Sequence, residues 1–273
     1  MLHQPDDDQM TSLSRTIRLR VAYDGTRYSG WQIQPGRTTV QGTLAEAIHR
    51  VSGEEILPQG ASRTDAGVHA LDQVVAFTTQ SLHEPAVWVR ALNAWLPHDI
   101  TVTAGDLARA GFDPVSASTS KRYRYRIHDA APKPVLSRHL VWRWWGGLDV
   151  ETMRAAAPAL VGEHNFTSFE ALHSPRRSKI RTIHTLSVTR TAVLGGLGDE
   201  VWIEVEGNGF LYNMVRIIAG SLVMVGAGRR SPAWLGEALA ARSRPAAGPT
   251  APPEGLCLVE IKLAADPPDS PAP

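Results

Sequence analysis

A chain of 273 residues, 43% hydrophobic and 20% charged, is long enough for one large globular domain or two smaller ones sharing an extended core. Its single cysteine, Cys257, excludes an intramolecular disulfide, and with no secretory pattern at the N-terminus it points to the cytoplasm. The net charge of +1 announces no polyanionic partner, and the most apolar long stretch, 214–228, contains Arg216 and is shorter than the ~20 residues of a membrane span.

Residues 1–14 are polar with an acidic DDD run and are expected to be disordered, as are 264–273, rich in Pro, Asp and Ala. Between these tails, 16–23 (TIRLRVAY) alternates like a half-buried strand and 40–51 carries helical spacing. The segment 73–78 reads as a strand, 85–95 as a helix with Pro in its first turn, and 100–102 as a short strand. A second cycle begins near Ser118 with the strand SKRYRYRI. A helix at 149–161 follows, then strands at 184–193 and 201–206 around a hairpin-like GGLGDE. Helices at 212–226 and 232–242 and a last strand at 256–263 complete it. Two successive mixed cycles predict an α+β protein of two halves, 15–112 and 113–263, joined near 108–115, each a sheet covered by helices on one face.

Charge is unevenly spread. Seven basic residues fall between 116 and 145 (Lys121, Arg122, Arg124, Arg126, Lys133, Arg138, Arg143) against Asp129 alone, and five between 174 and 190 (Arg176, Arg177, Lys179, Arg181, Arg190) with no acid. Such clustering is the footprint expected for a polyanion, or else a solvated strand face balanced by acids elsewhere. In KRYRYRI, Tyr123 and Tyr125 share one strand face while Arg122, Arg124 and Arg126 share the other. An aromatic face beside a cationic one suits stacking on a base while contacting phosphate; the alternative is two core tyrosines and three solvated arginines.

No HExxH, Walker A loop or GxSxG occurs, and one Cys cannot build a thiolate metal site, so neither metal nor cofactor is signalled. The stretch GASRTDAGVHA (60–70) sets Asp65 between Gly60 and Gly67. Alone, such an Asp commonly shapes a turn. The apolar segment GFLYNMVRIIAGSLVMVG, however, carries Arg216, and a guanidinium buried there calls for a carboxylate from another segment. Asp65 or Glu206 can supply it, unless Arg216 snorkels to the surface. A bidentate Arg would keep Asp65 ionised and oriented, as a nucleophile or base requires.

RTDAGVHA, KRYRYRI, GEHNFTSF (162–169) and GNGFLYNMVRIIAGSLVMVGAGR (207–229), with VAYDGTRYSGWQ (21–32) and TVQGTLAEAI (39–48), resemble in the same order the motifs of the tRNA pseudouridine synthase A family. The resemblance runs from about Arg18 to Leu263. It implies two ferredoxin-like α/β halves with mainly antiparallel sheets around a central cleft, working as a homodimer. It also implies conversion of uridine to pseudouridine at positions 38, 39 and 40 of the tRNA anticodon arm, without cofactor or metal. On this resemblance Asp65 matches the catalytic aspartate, and Arg63 a basic residue associated with flipping the base. Tyr123 matches the tyrosine that stacks on the uracil, Arg216 the arginine paired to the catalytic carboxylate, and Leu256 an apolar residue packed against the base.

Two departures stand out. Ser62 replaces the Gly that commonly precedes the family's Arg-Thr-Asp, and FDPVSAS (112–118) lacks the basic segment that relatives commonly carry before the tyrosine strand. No RNA contact is therefore assigned to 112–118. The competing readings are a tRNA-binding protein that has lost catalysis and a hydrolase of free nucleosides. The joint presence of Asp65, Tyr123 and Arg216 argues against the first, and the extended basic strands argue against the second.

Overall fold

The computed structural model describes residues 14–171, 178–192 and 198–265. Strand β1 (Arg15–Tyr23) shows how alternation builds the fold. Ile17, Leu19, Val21 and Tyr23 are buried on one face, while Arg18 and Arg20 occupy the other. Strand β1 lies antiparallel between β3 (His69–Thr79) and β4 (Ile100–Ala108), and the short β2 (Gln59–Gly60) extends β3. Helices α1 (Val40–Ser52) and α2 (Pro85–Trp95) add Leu44, Ile48, Trp88 and Leu92 to the same core. Thr39 caps α1 by accepting from the Gly42 amide, and Gly53 ends it in the left-handed region.

The second cycle contributes β5 (Ser118–His128), β6 (Trp142–Arg143), α3 (Val150–Ala156), β7 (Gly162–Asn165), β8 (Ile180–Ala192) and β9 (Asp199–Gly207). Helices α4 (Met214–Gly226) and α5 (Trp234–Ala240) and strand β10 (Leu256–Leu263) follow. The mixed α+β class and the mainly antiparallel pairing are as expected. The two expected sheets, however, are continuous: the strand order is β4-β1-β3-β10-β5-β9-β8-β7, with β2 beside β3 and β6 beside β5. The join is β10, which pairs in parallel with β3 over Cys257–His69 and Leu258–Ala70 and antiparallel with β5 along its length. Strand β10 thus covers the start of β3 and most of the length of β5.

Some boundaries move for local reasons. The helix expected over 149–161 stops at Ala156 and tightens to a 3-10 turn over Ala157–Leu160, because Pro158 has no amide to donate. The helix expected from 212 begins at Met214, since Asn213 sits at φ 59, outside helical space. Strand β4 runs to Ala108, well past the expected 100–102. The first half of the GGLGDE turn, 195–197, lies outside the described residues.

Candidate active site

The loop between β2 and β3 is fixed at almost every residue. Gly60 passes under Trp31 so closely that a Cβ there would stand 2.5 Å from the indole. The Ala61 amide donates to the Val74 carbonyl (2.8 Å), and its carbonyl accepts from Lys121 Nζ (2.6 Å). Ser62 is held at both backbone polar groups by the wholly buried Gln73. The Thr64 carbonyl accepts from the Trp31 amide (3.0 Å), and its hydroxyl meets Tyr23 Oη (2.8 Å). A turn then closes from the Val68 amide to the Asp65 carbonyl (3.1 Å), with Gly67 at φ 77 supplying a left-handed residue without steric cost. The backbone of Asp65 thus makes the turn, and its carboxylate faces away from that hydrogen bond toward α4.

Helix α4 is buried on almost all sides, with Arg216 the cation expected there. The Arg216 side chain is only 15% exposed and does not snorkel out. Its Nε donates to the Ala251 carbonyl (2.7 Å), and one terminal nitrogen donates to Asn213 Oδ1 (2.9 Å) and stands 3.5 Å from Asp65 Oδ2. Asp65 is therefore the partner, while Glu206 pairs with Lys262 at 2.7 Å. The expected bidentate fork is absent: one long contact joins the two charges, and the same guanidinium also donates to Ala251 and Asn213. Burial accordingly raises the Asp65 pKa above the ordinary carboxylate value, with Arg216 opposing the shift.

Tyr123 reaches the same place from β5. Its ring packs edge-on against Phe210 (centroids 5.3 Å apart), and its phenol lies 2.9 Å from Ser62 Oγ. Burial pushes that phenol up to about 12, so it carries its proton at neutral pH. Arg63, Asp65, Lys121, Tyr123, Phe210 and Leu256 line one cavity of about 970 Å³. Leu256, at the start of β10, is buried against its floor, and Arg63 is exposed at its rim. Val115, half-exposed, brings the departing 112–118 segment to the cavity edge, where Asp113 accepts from the Val115 and Ser116 amides of its own turn.

The expected phosphate contacts of Arg122 and Arg124 do not belong to this cavity. Strand alternation places them on the opposite sheet face from Tyr123, where Arg122 pairs with Glu260 (2.9 Å) and Arg124 with Glu204 (2.8 Å) and lies over Trp202. Arg126 is likewise paired with the wholly buried Glu200, Arg190 with Asp129, and Lys179 with Glu170. Much of the positive clustering is thus neutralised across neighbouring strands. Arg176 and Arg177 lie outside the described residues. Three site residues escaped sequence reasoning: Lys121, which strand alternation places on the Tyr123 face; Asn213, which holds Arg216; and the Ser62 hydroxyl. Among the described residues no three His, Cys, Asp or Glu side chains gather as a metal site needs, and no helix is long and apolar enough to cross a membrane.

A family model described as tRNA pseudouridine synthase matches residues 20–110 and 156–262. The chain is 42% identical over 247 residues to a tRNA pseudouridine synthase A of Geotalea uraniireducens, covering 90% of this chain and 99% of that protein. With the enzyme of the same name from Brevibacillus brevis it shares 44% identity at the same coverage. A third, from Myxococcus xanthus, is 41% identical over 92% of this chain and 93% of its own length. Two matched blocks that bracket Asp65 and Arg216, and identity sustained end to end, leave one assignment: the chain belongs to the tRNA pseudouridine synthase family.

Proposed function

We propose that the protein isomerises uridine to pseudouridine at positions 38, 39 and 40 of the tRNA anticodon arm, with Asp65 as the catalytic carboxylate. The supporting observation is that Asp65 and Tyr123 line one cavity while Arg216, 151 residues from Asp65 in the chain, stands 3.5 Å from its carboxylate. In the reaction the N1–C1′ bond breaks, the uracil turns, and C5 bonds to C1′. The ionised carboxylate either attacks C1′ or takes a proton from C2′ to give a glycal-like intermediate. Both routes need the charge positioned by Arg216 and shielded from water that would hydrolyse the sugar–base bond. Tyr123 and Leu256 hold the detached base between them. Arg63, free at the rim, fills the space left by the extruded nucleotide or anchors its phosphate. Residues 15–112 and 113–263 act as two halves gripping the RNA across the cavity, and the enzyme works in the cytoplasm as a homodimer; both statements follow the family resemblance.

The test uses tRNA carrying C5-tritiated uridine, which loses tritium when C5 bonds to C1′. Asp65→Asn is expected to abolish tritium release while tRNA binding survives, and mapping of the modified base is expected to place it at 38–40. Full activity in that variant sinks the assignment of Asp65.

A further inference from the structure

Ser62 stands three positions before Asp65, and its surroundings are unusual for a loop serine. Its amide donates to Gln73 Oε1 (3.1 Å) and its carbonyl accepts from Gln73 Nε2, and Gln73 has no exposed surface. The preceding residue is pinned twice more, by the Val74 carbonyl and by Lys121 Nζ. With the backbone immobilised in this way, the Ser62 Cβ has a fixed position and a single χ1 torsion remains. That torsion is spent on Tyr123: Ser62 Oγ lies 2.9 Å from the phenol oxygen. Tyr123 is buried to 6% exposure, its ring held edge-on by Phe210. The link spans 61 positions of sequence and joins the loop that carries Asp65 to the strand that carries Tyr123.

We propose that Ser62 is a positioning residue of this enzyme: its hydroxyl fixes the Tyr123 phenol, and through it the spacing between the base-holding ring and the Asp65 carboxylate. The inference rests on the functional reading above. A hydroxyl pair shares one hydrogen in the contact and leaves one hydrogen free, so the pair presents a defined polar edge to the cavity. Without Ser62 Oγ the buried phenol oxygen has no protein partner and turns toward water or the base itself. The phenol end of the ring, no longer tied to the Asp65 loop, then leaves the spacing between the held uracil and C1′ unfixed. Loss of Ser62 therefore acts after binding, on the fraction of turnovers that reach C–C bond formation.

Ser62→Ala, Ser62→Gly, Ser62→Thr, Tyr123→Phe and the double variant Ser62→Ala/Tyr123→Phe are assayed by tritium release from full-length tRNA, with kcat and KM separated and thermal midpoints measured. The expected result is a fall in kcat of roughly tenfold or more in Ser62→Ala and Ser62→Gly, in line with the cost of small misplacements at a reacting centre. KM for tRNA should stay within about twofold, Ser62→Thr should recover most of the rate, and the double variant should be no slower than Tyr123→Phe. Ser62→Ala activity within twofold of the unaltered enzyme overturns the proposal, as does a double variant whose losses multiply. A thermal midpoint that falls in step with kcat also overturns it, by reducing Ser62 to a structural part. An unaltered enzyme that releases no tritium from tRNA defeats the functional reading instead, independently of Ser62.

Discussion

At the scale of single residues, burial raises the pKa of Asp65, and Arg216 at 3.5 Å offsets this only in part. A carboxyl whose folded-state pKa lies above its unfolded value binds more protons when folded, so the stability present below its unfolded pKa is lost as pH rises through the folded pKa. At neutral pH the ionised Asp65 thus costs stability. Asp65→Asn, which keeps an acceptor oxygen for Arg216, is expected to leave the thermal midpoint unchanged or higher while activity disappears; a calorimetric scan beside the tritium assay checks both. Arg216→Gln removes the opposing influence, so the acid limb of the kcat/KM profile should move to higher pH, the protonated fraction of Asp65 growing at any given pH. A limb that stays in place would mean that Arg216 does not act on Asp65. Arg216 was legible in the sequence as a cation in an apolar helix that calls for a carboxylate, whereas Asp65 and Tyr123, each open to a structural reading alone, were singled out with the family resemblance. The roles of Ser62 and Asn213 were not legible, since their meaning lies in a partner: a phenol 61 positions away for one and a guanidinium for the other.

At the scale of elements, the turn that carries Asp65 depends on glycine at position 67. A Cβ on Gly67 would meet Pro253 at 3.0 Å, with the backbone at φ 77. Gly67→Ala is expected to cost about 1–2 kcal/mol in denaturant unfolding and to lower kcat, because the strain is relieved only by moving the Asp65 turn. The strands tell a different story about charge. Counting Lys and Arg along β5 suggested a phosphate-binding face, but a count does not reveal register, and register sets Glu204 opposite Arg124 and Glu260 within reach of Arg122. Measured as the dependence of tRNA affinity on salt, Arg63→Gln should lower the slope by about one. Arg122→Gln and Arg124→Gln should leave it unchanged. The longer elements were readable from periodicity, and two helix ends moved where Pro158 or Asn213 broke it, whereas β4 ran past its expected end and the short β2, β6 and β7 were not anticipated.

At the scale of the whole molecule, two cycles of α and β that looked separable share one sheet through β10. Leu258, with no exposed surface, lies at the join, opposite Ala70 on one side and Tyr123 on the other. Leu258→Ala is expected to cost about 2–5 kcal/mol in denaturant unfolding, the range for an aliphatic side chain deleted from a packed core. Its effect on activity should exceed that of an equally destabilising change remote from the join, because it loosens the tie between the Asp65 loop and the Tyr123 strand. No sequence pattern announced this. A terminal strand with alternating apolar residues reads the same whether it lies at an edge or between two halves.

The position of β10 also bears on when the enzyme becomes competent. Of the described strands it is the last to be synthesised, and the parallel ladder from His69 to Cys257 spans nearly two hundred residues of chain. While a ribosome is still translating, the Asp65 loop and the Arg216 helix already exist on segments that share no ladder. The side-chain links from Lys121 and Tyr123 to the Asp65 loop then lack the strand that joins β3 to β5. A nascent chain that has not yet delivered β10 is therefore expected to present an incomplete cleft, since Leu256 of that strand lines the cavity.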